Sequence, residues 1–420
     1  MTTVSHETAI DRFTTVSGRI PKQYAYYLSQ YDISDPNSEV MLQYCQWEDY
    51  RRKNSYQNCI VKDSDYYLSV TTQYSLGDLE KAVENFSDSI TAYNWHIEQM
   101  NKKYEKMTSK TLSLNDKKAC TLVLSYYTGY KANSDRSSRN INACIRGDNS
   151  YEKTENWSDG EYFYPVIYYL SKAISSLPFF WGYTIRCVQL TEAQTHVYEP
   201  GTVVTWLQWS SSKIGTTPAP YFEKRNTWFY IYSFNSREIS QFSVYSEEKE
   251  ALYSPFSHFL VFKKVYSNGK YKIYMRQIEI GLYIKNIVWV DDNILNSNWE
   301  NKQLMEMAYY RDKTLKIIPK ISTATALAFI ASFKPFIKGG SVKYKIISDM
   351  NRKNENPYYN AGARLVKALQ DNGLGDIEIM IFTSSKEAAL VELKILNVIM
   401  TNKIKITTNI NDAINFLVSN

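Results

Sequence analysis

From residue 75 to 107, in "SLGDLEKAVENFSDSITAYNWHIEQMNKKYEKM", apolar side chains recur at helical spacing, and Ser75 and Asp78 stand where they can cap the start. Further helices are predicted in "LNDKKACTLVLSYYTGY" (114–130) and "FYPVIYYLSKAISSL" (163–177). From about 180 to 283 the pattern changes to short aromatic and β-branched runs, "GYTIRCVQL", "GTVVTWLQW", "NTWFYIYSF" and "SHFLVFKKVY", bounded by Gly, Pro, Asn or Ser as strands are. Helices first and strands second predict an α+β unit. After 284 strand and helix alternate: "KNIVWVDDN", a helix near 300–312, "LKIIPKIS", "TATALAFIASF", "VKYKIISDM", "NAGARLVKALQDNG", "IEIMIFTSS", "KEAALVELKILNVIM", "KIKITTN" and "NDAINFLVSN". Five strands each followed by a helix predict an α/β doubly wound parallel sheet, and hence a domain boundary near 284. Residues 1–70 are polar and Tyr-rich without a clear period, and carry no functional assignment.

A chain of 420 residues exceeds what one core usually holds, so two domains are expected. Its 44% hydrophobic and 22% charged residues are those of a folded protein. The 36 Tyr and nine Trp stand out; such rings stack on nucleotides, though they are more often structural. The net charge of +6 comes from bases interleaved with acids, with no Arg- or Lys-rich tract, so no nucleic-acid partner is implied. Five irregularly spaced cysteines fit reduced thiols, and four scattered histidines without a CxxC argue against zinc. The N-terminus has no apolar core of signal-peptide length, and no stretch approaches a membrane span. The expected compartment is the cytoplasm, or else the nucleus, with no membrane partner.

Three features of the α+β unit bear on chemistry: Arg186 in "TIRCVQL", the serines Ser210, Ser211 and Ser212 after "VVTWLQW", and Glu247, Glu248 and Glu250 in "SVYSEEKEALYSP". Singly, each has an ordinary reading: a surface ion pair, a turn, and a solvated acidic cluster. Together, in this order, they resemble the Arg–Ser–Glu-x-Glu pattern of the arginine-specific mono-ADP-ribosyltransferases. "SYYTGY" and "NINACIR" are similar to the family's Tyr-Thr motif and its Asn-x-x-Leu-Arg, with Ile145 in the Leu position. "LPFFWGYTIRCVQL" resembles the segment that carries the arginine, and "ISQFSVYSEEKEALYSPFSHFLV" the run that leads through Glu-x-Glu to Phe-x-Val. The resemblance covers about 75–265 and implies an ADP-ribosyltransferase domain over 71–275, with a helical N-terminal part and a two-sheet β core.

It also implies NAD as co-substrate and proteins with exposed arginine as acceptors. Breaking the glycosidic bond of NAD leaves neutral nicotinamide and an oxocarbenium-like ribose, which a fixed carboxylate stabilises. That role is expected of Glu250. Glu248, two residues earlier on an extended segment, is expected to point to the same side and to orient the acceptor guanidinium. Arg186 is expected to hold a phosphate of NAD. Ser211 aligns with the first Ser of the family's Ser-Thr-Ser and is expected, with Ser210, to help hold the nicotinamide ribose. The chain departs from the pattern in four places: Cys187 stands where the family has Gly, Ser212 for Thr, Lys213 for the last Ser, and Tyr253-Ser254-Pro255 for Ile-Pro-Pro.

In a parallel sheet the ligand site lies at the carboxyl ends of the strands. Those ends read Asp291-Asp292, Asp349, Thr383 and Lys405, which resembles the receiver domains of two-component signalling and implies a receiver-like domain over 284–420. The resemblance makes Asp291 and Asp292 ligands of Mg²⁺, Asp349 the phosphoryl acceptor, and Thr383 the hydroxyl of the switch. The usual Lys-Pro after the fifth strand is absent, and Lys405 sits inside "KIKITTN". The leading expectation is a protein-arginine mono-ADP-ribosyltransferase fused to a receiver-like regulatory or partner-docking module. The alternative is a weak or inactive NAD-binding signalling adaptor, and a third reading is NAD hydrolysis without transfer.

Overall fold

The computed structural model describes residues 14–19, 73–109, 111–129, 136–145, 164–243, 245–255, 257–279, 285–294, 296, 298–312, 315–338 and 343–419. Most of 1–70 lies outside these, as do Tyr130 and Arg146 of the two upstream motifs. The chain divides into two compact units, the first made mainly of Lys62–Glu199 and Val203–Ile278 and the second mainly of Glu279–Asn420.

In the first unit, the periodic stretch forms helices α1 (Leu76–Phe86) and α2 (Ile90–Lys103). Ser75 and Asp78 close a capping box at the start of α1, and Ser89 caps α2. Such a cap is worth about 1 kcal/mol. Leu79 and Val83, one turn apart on α1, are fully buried, and each stabilises the fold by roughly 1.5–3 kcal/mol. Helix α3 (Leu114–Thr128), capped by Ser113, is buried along every residue from Ala119 to Tyr127. It packs against α1, α2, α4 (Arg136–Ile145) and α5 (Tyr164–Ser176), so it is the centre of the helical layer.

The strands are β1 (Thr14–Arg19), β2 (Phe179–Val188), β3 (Thr202–Trp206), β4 (Ser210–Ile214), β5 (Thr227–Glu238), β6 (Glu250–Tyr253), β7 (Ser257–Ser267) and β8 (Lys270–Ile278), with a one-turn helix α6 (Glu192–Thr195) between β2 and β3. They form one continuous sheet in the order β1-β3-β7-β8-β5-β2-β4-β6 rather than the expected two, because β5 and β8 pair in parallel and join the halves. Strand β6 also reaches back to the end of β5, pairing Arg237 with Leu252 and Glu238 with Ala251. The short β4–β6 ribbon is thus held at both sides, by β2 at Thr184–Ile214 and by β5. Asn268 and Gly269 turn β7 into β8 with φ of +52° and +73°, a left-handed pair that Asn-Gly adopts at low cost. The triple serine, whose ordinary reading is a turn, is strand: Ser210, Ser211 and Ser212 pair with Tyr253, Leu252 and Ala251. Cys187 has no left-handed backbone, so losing the family's glycine costs the strand nothing there.

In the second unit five strands, β9 (Lys285–Val290), β10 (Lys316–Lys320), β11 (Lys343–Asp349), β12 (Glu378–Phe382) and β13 (Ile404–Thr407), form an all-parallel sheet ordered β10-β9-β11-β12-β13. Each is followed by a helix: α7 (Lys302–Arg311), α8 (Thr323–Lys338), α9 (Ala361–Asp371), α10 (Lys386–Ile395) and α11 (Ile410–Val418). Helix α7 packs on α11, and α8 and α10 pack on α9, which is doubly wound topology. Val288, Ile346 and Ile381 of the strands meet Phe329, Val366 and Leu393 of the helices in one core. Short strands rich in Ile and Val, buried on both faces at the centre of the sheet, drive this arrangement.

Gly362 opens α9 against the end of β11. A Cβ there would lie 2.8 Å from the Asp349 carbonyl oxygen and 3.0 Å from Met350 Cα, both backbone atoms that cannot swing aside. Gly362→Ala is therefore expected to destabilise the second unit by about 1–3 kcal/mol. The check is the thermal transition of the full chain, which should fall by several degrees.

Candidate active site

Glu250, Ser211 and Arg186 come together. Ser211 and Glu250 are diagonal neighbours on the β4–β6 ladder, on its half-open face, and the Ser211 hydroxyl donates to Glu250 Oε1. Arg186, on β2, donates through its guanidinium to the Ser211 carbonyl. That guanidinium lies 5.6 Å from the ring centre of Trp206, which ends β3 in the core. Burial pushes the Glu250 carboxyl up to about 6, and the Glu248 carboxylate adds to the rise. The hydroxyls of Ser211 and Ser243 and the Arg186 charge oppose it. Glu250 is thus ionised at neutral pH but poised close to its titration.

Glu248 is also beside Glu250, but not for the reason its spacing gives. Residues Ser246–Glu248 form one turn of 3₁₀ helix, and Lys249 is left-handed at φ +48°, ψ +61°. The segment is therefore a turn, not a strand, and the expected period-two alternation does not apply to it. The Glu248 N–H donates to the Tyr245 carbonyl at 3.0 Å and the Lys249 N–H to that of Ser246 at 3.3 Å. Strand pairing begins only where the Ile214 N–H meets the Lys249 carbonyl at 2.8 Å. The turn leaves Glu247 and Lys249 exposed and Glu248 half-buried. Burial, with Glu247 beside it, raises the Glu248 pKa, and Lys213 opposes that rise.

Ser210 does not join the group. Side chains alternate along β4, so Ser210 and Ser212 are buried on the opposite face from Ser211. The Ser210 hydroxyl donates to the Gln208 carbonyl at 3.2 Å. Three neighbours were not singled out by sequence pattern. Tyr127, buried on α3, has its phenol raised by burial and by the Glu250 charge, against Arg186 and a hydrogen bond with Asn142. Asn142 on α4 in turn donates to the Trp209 carbonyl at 3.2 Å, just before β4. Ser243 acts on Glu250 from the loop after β5. Tyr127 and Asn142 fall within the "SYYTGY" and "NINACIR" motifs, which is the signal that could have found them.

At the carboxyl end of the second sheet, oxygens of Asp291, Asp292 and Asp349 all lie within 4.8 Å of one another. Asp291 accepts from the Asn293 N–H at 2.9 Å and from the buried Trp299 indole at 2.8 Å. Asp292 accepts from the Lys353 N–H at 2.7 Å. Burial, then the Asp291 carboxylate, pushes Asp349 up to about 7, against the Met350 and Asn351 N–H groups and Arg352. Three carboxylates with this much uncompensated negative charge fit a hard divalent cation such as Mg²⁺.

Arg352, fully buried, fixes the loop after Asp349: it bonds the Ser348 hydroxyl at 2.7 Å, the Asp349 carbonyl at 2.8 Å, Thr323 at 2.6 Å and Glu355 at 2.6 Å. Nothing in its sequence setting marked it out. Thr383 follows β12 one residue beyond the level of Asp349, its hydroxyl accepting weakly from the Ser385 N–H at 3.4 Å. Lys405 does not reach this end. Thr407, not Lys405, is level with Asp349 through Phe382, so Lys405 stands two residues, about 7 Å, short along β13. Its ammonium rests 5.3 Å from the ring centre of Phe416 on α11 instead.

Residues 48–280, more than half of the chain, match the sequence model of the family described as NAD:arginine ADP-ribosyltransferase. The chain belongs to that family. The protein Mav of Mycobacterium avium (strain 104), whose name describes it as an NAD(+)–arginine ADP-ribosyltransferase, is 34% identical over 96 residues. That match covers 23% of this chain and 12% of the relative, so the chain spans only a small part of the relative's length. Among solved structures, the type III effector XopAI from Xanthomonas axonopodis pv. citri matches with a TM-score of 0.38 and 14% identity, over 58% of this chain and 100% of that one. The ADP-ribosyltransferase HopU1 of Pseudomonas syringae pv. Tomato DC3000 matches with a TM-score of 0.37 and 17% identity, over 49% and 99%. No described helix is long and apolar enough to cross a membrane.

Proposed function

We propose that this chain transfers ADP-ribose from NAD to arginine side chains of proteins, with release of nicotinamide. The observation that carries the reading is the convergence of Glu250, Ser211 and Arg186, with Glu248 on the adjoining turn. Glu250, ionised above about 6, faces the ribose and stabilises positive charge as the bond to nicotinamide breaks. Ser211 holds that carboxylate in place, and Arg186 supplies a charge-assisted contact to a phosphate. Glu248, which stands in the turn beside the ladder, receives the guanidinium and orients its nitrogen toward the ribose carbon. Family membership over 48–280 supports the same chemistry. The experiment is nicotinamide release from NAD by the purified chain, with and without agmatine as an arginine mimic. Release stimulated by agmatine supports the reading; no release from a folded, NAD-binding protein favours the adaptor.

The second unit is read as a receiver-like module. Asp291, Asp292 and Asp349 would hold Mg²⁺, whose charge would offset theirs and draw in a phosphate donor. Asp349 is the proposed acceptor, with Thr383 beside it, and the strand order supports that reading. Treatment with acetyl phosphate and Mg²⁺ is expected to add one phosphoryl group to the wild type and none to Asp349→Asn. An unchanged intact mass, under conditions that modify a known receiver, would rule the switch out.

A further inference from the structure

Four hydroxyls meet in the closed core beneath the candidate site, and the chemistry proposed above uses none of them. Thr184 of β2, Ser233 and Ser236 of β5 and Tyr253 of β6 are all fully buried. The Thr184 and Tyr253 hydroxyls lie 2.8 Å apart, and those of Ser233 and Ser236 lie 2.5 Å apart. Both serine hydroxyls also act on the Tyr253 phenol, whose pKa burial raises to about 12, so its proton stays in place as a donor. The Tyr253 ring is fixed separately, edge-on to Trp206 at 6.2 Å and to Phe259 at 5.2 Å between ring centres. Tyr253 stands where the family pattern has Ile, so this polar cluster is a property of this chain.

Strand β6 is only four residues long and begins at Glu250. So short a strand has few ladder bonds to define its register, and a slip of one residue would turn Glu250 from the half-open face into the core. Tyr253 projects to the opposite face, paired with Ser210, and its hydroxyl joins β6 to β2 at Thr184, two residues before Arg186. Strand β2 pairs with β4 only through Thr184–Ile214 and Ile185–Lys213. Thr184 therefore stands where the two strands part and where the Arg186 side chain reaches over to the Ser211 carbonyl. We propose that Tyr253 is a positioning residue for NAD cleavage: its hydroxyl locks β6 to β2 in the register that sets Glu250 against Ser211 and keeps Arg186 within reach of the same serine. An apolar side chain would fill the space, but only a satisfied buried hydroxyl network specifies one arrangement of the three strands. This rests on the reading that Glu250 acts on NAD and is independent of the acceptor.

The test is nicotinamide release from NAD by the full chain, with its pH profile, for the wild type, Tyr253→Phe, and the double variant of Tyr253→Phe with Thr184→Val. Tyr253→Phe keeps the ring and deletes the hydroxyl. It is expected to lower kcat roughly 10-fold, less than the ~10²-fold cost of a 1 Å misplacement. KM for NAD should stay within about two-fold, because no group that binds NAD is removed. The Ser211 hydroxyl holds the Glu250 pKa down, so loosening that contact should move the acid limb of the rate above about 6. Tyr253→Phe also leaves the Thr184 hydroxyl short of a partner and should lower the thermal transition. The double variant, which replaces both partners, should regain stability without regaining kcat or the wild-type limb. If Tyr253→Phe does not fold, the double variant carries the same readouts. A kcat and an acid limb equal to those of the wild type in Tyr253→Phe would overturn the proposal. So would a double variant that recovers both, which would make the hydroxyls a matter of stability alone. A wild type that releases no nicotinamide would instead overturn the role of Glu250 on NAD, and the proposal with it.

Discussion

Replacing Glu250 with alanine is expected to lower nicotinamide release from NAD by about 10²- to 10³-fold, the loss seen when one preorganised electrostatic group at a developing charge is removed. Glu250→Gln should lose nearly as much. The amide still accepts the Ser211 hydroxyl but carries no charge to place against the ribose. Folding is not expected to suffer in either variant, because the carboxyl that is removed is one that burial already disfavours in its charged form. Thermal transitions at the wild-type position would establish that. In the wild type, the active form is the carboxylate, and its pKa is raised to about 6. The rate should therefore fall as the pH drops through about 6 and level off above about 7. A release rate that is unchanged in Glu250→Ala, or a flat profile from pH 5 to 8, would remove Glu250 from the chemistry.

Glu248→Gln should separate transfer from hydrolysis. Hydrogen bonds to charged groups contribute about 1.5–3 kcal/mol, so loss of the carboxylate should reduce transfer to agmatine by roughly 10- to 150-fold. Water needs no such partner, so release without agmatine should fall far less. The geometry makes this separation plausible in physical terms, because the two acids are held differently. Glu250 is locked in β6 and bonded by Ser211, whereas Glu248 ends a 3₁₀ turn followed by a left-handed lysine. A parallel loss of both activities would mean that Glu248 acts on NAD rather than on the acceptor. A loss of neither would leave it without the proposed role.

Much of the architecture could be read from residue pattern, and the reason differs by element. The alternation after 284 predicted five strands and five helices, because strands buried on both faces and amphipathic helices have different periods. Helix α3 was predicted as a helix, but its burial all round erases the one-sided period that would show which residue faces the site, so Tyr127 stayed hidden. Arg352 was equally silent, since its four partners come from β11, the start of α8 and its own loop.

For the candidate site, local sequence determined which residue types were present and in what order: Arg186, Ser211, then Glu248 and Glu250. It did not set Ser211 apart from Ser210, which were expected to act together, because alternation applies only once the segment is known to be a strand. Tertiary structure decided the rest. Ser210–Ser212 became strand because β6 and β2 supplied partners for their backbone, which no local preference specifies. Glu248 reached Glu250 through a turn, because a left-handed Lys249 is paid for by the ladder that closes beside it. Lys405 missed the acidic end because strand register, set by the whole sheet, leaves it two residues short. Periodicity is a short-range property of the chain, while register and pairing are fixed only when distant segments meet.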